Sequence, residues 1–67
     1  MTYIDVLRAD AKAVYNLHLY WESAAHAEAY ADEVDYPALD HAHAESDKAW
    51  RRYRALDEEI TRLTANQ

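Results

Sequence analysis

PALDHAHAESDKAWRRYRALDEEITRL, residues 37–63, is the stretch that decides the architecture of this chain. Within it Leu39, Ala42, Ser46, Ala49, Tyr53, Leu56, Ile60 and Leu63 follow one another in steps that alternate three and four. That alternation is the signature of a helix whose apolar or small stripe stays aimed at a neighbouring helix. The stretch begins at Asp35-Tyr36-Pro37. Proline is tolerated in the first turn of a helix and disfavours helix in the residue before it. A helix therefore starts here, with Asp35 the better N-cap candidate and Tyr36 the alternative.

Upstream, Thr2 and Asp5 have the spacing of a capping pair. No residue from there to Val34 is a strong helix breaker. The chain has no Gly, a single Pro and abundant Ala, which favours helix almost everywhere. The reading is an all-α single domain over residues 1–67. Helix one covers about 3–34, a turn about 35–37, and helix two about 37–63. Helices of roughly 27 to 32 residues are about 40–48 Å long. A short connection makes them antiparallel neighbours.

Helix one carries two apolar stripes. The first runs through Val6, Ala13, Leu17, Tyr20, Ala24, Ala27, Ala31 and Val34, with Asp10 out of character. Matched to helix two, it would set Ala31 opposite Ala42, Ala24 opposite Ala49, Tyr20 near Tyr53 and Leu17 near Leu56. Small residues would then meet near the turn and large ones at the open end. The second stripe, Ile4, Leu7, Ala11, Val14, His18, Trp21 and Ala25, lies about 120° around the helix. With His43 and Trp50 it is expected to form one broad apolar and aromatic face, Trp21 lying near Trp50. A lone hairpin could not bury such a face, and exposed patches of that kind mark interfaces. The expected outcome is a homodimer closing into a four-helix bundle, or a docking face for another protein.

At 67 residues and without cysteine, the chain has a small core and no disulfide to reinforce it, which also favours oligomerisation. No stretch has the roughly 20 apolar residues of a membrane span. Nor does the N-terminus have the charge and apolar pattern of a signal peptide. A soluble, cytoplasmic protein is expected.

The net charge is −6, and no Lys or Arg occurs between Lys12 and Lys48. Phosphate contacts need clustered cations, so direct nucleic-acid binding is not expected. The run KAWRRYR, residues 48–54, could combine charge and stacking. However, Tyr53 belongs to the heptad, and Asp47 with Arg51, Arg54 with Glu58, and Glu58 with Arg62 are spaced for helix-surface pairing. An acidic tip of Glu28, Asp32, Glu33, Asp35 and Asp40 gathers around the turn. Asp32 and Glu33 at the end of helix one would oppose its dipole, which suggests contact with a basic surface.

His18, Glu22 and His26 lie at i, i+4, i+8, and Asp40, His43 and Asp47 form a second set. Bundle metal sites use Glu-x-x-His. The spacings here are Glu22-x-x-x-His26 and Asp40-x-x-His43, so no metal or cofactor is expected. Ser23 and Ser46 are the only serines, and neither has an evident base with an orienting third group. Without Gly there is no phosphate-cradling loop. No catalytic residue is assigned.

In size, charge and helical build the whole chain resembles the small accessory proteins of bacteriophages and mobile elements. Among these it looks most like the quorum-sensing anti-activators, two-helix dimers that bind and disable a host transcriptional regulator. It is also similar to the small anti-CRISPR proteins. The resemblance implies a non-enzymatic inhibitor of a host protein. Alternatives are a DNA mimic using the acidic tip, or a structural subunit of a larger helical assembly.

Overall fold

The computed structural model describes residues 1–65. Two helices, α1 (Tyr3–Ala29) and α2 (Tyr36–Ala65), pack against each other as a hairpin. The molecule is a rod of 52 × 17 × 13 Å with a radius of gyration of 15.3 Å. A compact chain of this length would have about 11 Å.

The start of α1 follows local chemistry. The Thr2 hydroxyl accepts from the Asp5 backbone N–H at 3.2 Å, and the Asp5 carboxylate accepts from the Thr2 N–H at 3.2 Å. This closes the capping box and satisfies two otherwise orphaned donors. At the start of α2, the Asp35 carboxylate accepts from the Ala38 N–H at 3.1 Å. Asp35 is therefore the N-cap, and Pro37 sits within the first turn.

The end of α1 differs from expectation. The helix stops at Ala29, five residues before Val34, and Tyr30 is its C-cap with φ −106° and ψ 12°. Residues 30–35 form the connection. No residue in this segment forbids helix. Val34 folds back to a half-buried position instead of extending the helix into solvent.

The α2 face is the expected one: Ala42, Ser46 and Ala49 are buried, and Leu39, Tyr53, Leu56, Ile60 and Leu63 are half-buried. The α1 face is the other stripe. Leu7, Ala11, Val14 and Ala25 are buried, and Ile4, His18 and Trp21 are half-buried. These seven were assigned to a dimer or partner face; they form the seam inside the hairpin. Val6, Leu17 and Tyr20, expected in the seam, are 41%, 48% and 62% exposed.

The register moves as well. His18 meets Ser46, Tyr15 meets Tyr53, and Trp21 meets His41. Tyr20 instead lies edge-on to Trp21. Ending α1 at Ala29 shifts the centre of the turn towards residues 32–33 and slides the helices relative to the expected pairing. The small-with-small rule near the turn survives the slide, because Ala25 and Ala42 are the most deeply buried apolar residues, at 4% and 2% exposure.

Candidate functional site

Of the assigned face, His43 and Trp50 remain outside the seam; His43 is exposed and Trp50 is 40% exposed. They stand on one wall of an open groove of about 950 Å³ that runs along one side of the hairpin. His43, Asp47 and Trp50 supply the α2 wall, while Glu22, His26 and Tyr30 come from the α1 side.

His18 and Ser46 form the groove floor, where both helices contribute. His18 Nδ1 is 3.1 Å from the Ser46 carbonyl oxygen and 3.0 Å from its hydroxyl. A carbonyl can only accept, so Nδ1–H donates to it. On the far side of the ring, Nε2 lies 3.4 Å from Glu22 Oε1. That contact becomes an ion pair when both ring nitrogens carry protons. The imidazole also tilts against Trp50, with centroids 5.1 Å apart. Trp50 stacks on Tyr53 at 5.5 Å, and Tyr53 reaches Tyr15 across the seam at 5.1 Å. The result is a continuous aromatic strip shared by both helices.

Trp21 is not part of this strip. It makes edge contacts with Tyr20 at 5.1 Å and His41 at 5.4 Å. The expected adjacency of Trp21 and Trp50 is therefore corrected: they occupy opposite flanks of the seam. A seam-centred Trp21 would have brought them together; at the edge of the seam it points away from the groove.

Ser46, His18 and Glu22 place a hydroxyl, an imidazole and a carboxylate in sequence, an arrangement that sequence spacing did not reveal because Ser46 is 28 residues from His18. Its hydroxyl and imidazole lie where the two helices pack together. Ser46 is 5% exposed, lies between buried Ala42 and Ala49, and belongs to the middle of α2. Its neighbouring amides are committed to the helix ladder, so none is aimed at a developing oxyanion. The hydroxyl and the ring satisfy one another where two helices meet.

The two histidine and carboxylate sets converge only partly. His18, Glu22, His26, His43 and Asp47 border the same groove. Among the described residues no group of three or more such side chains is arranged to hold a metal ion. His26 turns towards Tyr30, with ring centroids 4.5 Å apart.

The acidic tip is dispersed around the connection. Glu28 is half-buried in the last turn of α1, Asp32 and Glu33 are exposed in the connection, Asp35 caps α2, and Asp40 is exposed on α2. Asp32 and Glu33 lie two and three residues beyond the C-cap, not within the helix. In the basic run's helix, Arg62 Nε donates to Glu59 at 3.2 Å. Tyr15, Tyr30 and the Ser46 hydroxyl were not singled out from the sequence as site residues. Tyr15 stands three residues before His18, and that i, i+3 spacing was the available signal.

No helix among the described residues is long and apolar enough to cross a membrane. Comparisons with protein-family models, curated proteins and solved structures find no match to this chain.

Proposed function

We propose that this chain is a non-enzymatic protein-binding module that seats a basic segment of another protein in the groove and inhibits or modulates that protein. The observation that carries the reading is the aromatic strip bordered by acids: Trp50 is 40% exposed in a groove that also presents Glu22 and Asp47. Partly exposed tryptophan is a common interface anchor, because it contributes a large contact area and loses little conformational freedom. The acids beside it, and the absence of Lys and Arg from residues 13–47, favour cationic groups on the partner. The resemblance to phage anti-activators points to a transcriptional regulator as the class of partner, met in the host cytoplasm.

The test is affinity capture from a lysate of the encoding cell, with wild type compared with Trp50→Ala and with Asp47→Asn. A protein retained by wild type and lost by at least ten-fold with Trp50→Ala supports the groove. Equal retention by both overturns it. If capture instead depends on Asp32 and Glu33 and collapses steeply with salt, the DNA-mimic reading holds, because exposed charges are screened within about 10 Å at 0.1 M salt.

A further inference from the structure

One stripe of α1 has no partner in the hairpin. From Tyr3 to Ala27 its positions are alternately three and four residues apart, the same period that α2 uses for its own seam. Tyr3, Val6, Leu17 and Tyr20 on it are between 41% and 63% exposed. A sustained heptad is a requirement for a helical neighbour, because a surface helix without one has no reason to hold a single apolar line in phase.

We infer that this stripe is a coiled-coil seam for a second copy of the same chain, with the two α1 helices antiparallel at the centre of a four-helix bundle. The rod as a whole has enough surface beyond that of a compact chain for such an interface. The chain exposes 5154 Å², whereas a compact protein of its mass exposes about 4,400 Å². The surplus is about 800 Å², which is what each partner contributes to a standard-size interface.

The side chains select the orientation. With the crossing centred near Tyr15, three of the four distinct layers join a large residue to a small one. Tyr3 meets Ala27 of the second copy, Val6 meets Ala24, and Leu17 meets Ala13. The single charged member, Asp10, falls beside Tyr20 of the second copy, whose hydroxyl can donate to the carboxylate. A parallel, in-register pair would instead stack Asp10 on Asp10 and Tyr20 on Tyr20. Like charges facing each other in a seam are costly, so the antiparallel arrangement is selected. The seam and the groove share only Ala27, and the Glu22, Asp47 and Trp50 side of the groove lies outside the seam, so this inference does not rest on the proposed function.

The experiment is sedimentation equilibrium at micromolar concentration, together with cysteine pairing in a chain that has no cysteine of its own. Two chains of 7.8 kDa should sediment as 15.6 kDa. Leu17→Glu should sediment as 7.8 kDa while keeping its helical circular dichroism, since Leu17 is outside the hairpin seam. Should that variant unfold, disulfide formation decides instead. Mixed Ala13→Cys and Leu17→Cys chains should form a heterodisulfide at least ten-fold faster than Tyr3→Cys chains link to each other. A monomeric wild type, a dimeric Leu17→Glu, or fast pairing of Tyr3→Cys would each overturn the inference.

Discussion

His18 of α1 donates from Nδ1 to the Ser46 carbonyl of α2 at 3.1 Å, and the same nitrogen lies 3.0 Å from the Ser46 hydroxyl. The two partners contribute unequally. In Ser46→Ala the carbonyl still accepts from His18, and alanine favours helix, so stability should stay within about 0.5 kcal/mol of wild type. His18→Ala removes the ring from Trp50 and leaves the nearly buried hydroxyl without its cross-helix partner. A loss of about 1–3 kcal/mol is expected. Urea denaturation of the two variants measures both, and equal losses would show that the hydroxyl, not the carbonyl, holds the ring.

The register can be read by engineered disulfides. Ala25 and Ala42 are both buried in the seam near the turn. Ala25→Cys with Ala42→Cys should oxidise readily within one chain, because disulfides require Cα separations of about 4.4–6.8 Å. Ala24→Cys with Ala49→Cys, the pair expected had α1 run to residue 34, should not. Thiol titration after air oxidation distinguishes the two registers.

At the connection, Asp35 and its acidic neighbours should separate cleanly. Asp35→Ala removes the cap on α2 and should cost about 0.5–2 kcal/mol. Asp32→Asn with Glu33→Gln touches no cap and should change stability by less than about 0.5 kcal/mol. Thermal melts of both variants test this. A large loss in the double variant would assign those acids a structural role in the turn.

Acid should weaken the open end of the rod first. The Thr2 backbone N–H, followed by its hydroxyl, holds the Asp5 carboxyl below its ordinary 3.8. The hydrogen bond from Arg62 holds Glu59 below 4.5. Both folded values are depressed, so their stabilising effect is present above the ordinary values and is lost as pH falls through the lowered ones. The share of the helical circular dichroism that depends on these two carboxylates should therefore be constant above about pH 5 and decline below about pH 4. Asp5→Asn should flatten the N-terminal share of that decline, measured by amide exchange near Tyr3–Leu7.

Local chemistry was legible in the residues themselves. The Thr2–Asp5 box, the Asp35 cap, the α2 stripe from Leu39 to Leu63 and the two-helix architecture depend on contacts within a few residues or on one unbroken period. What α1 presents to α2 was not legible, because two stripes of the same period lie side by side on it and periodicity cannot rank them. Tertiary structure decides between them through their polar members. Turning the Val6 stripe inward against α2 would set the Asp10 carboxylate at the level of Leu63, with no hydrogen-bond donor to meet it, and a buried charge left without hydrogen bonds is costly. Turning the Leu7 stripe inward buries His18, whose ring finds the Ser46 carbonyl and hydroxyl waiting across the seam. That exchange belongs to the observed register, in which the Val6 stripe lies outside the hairpin.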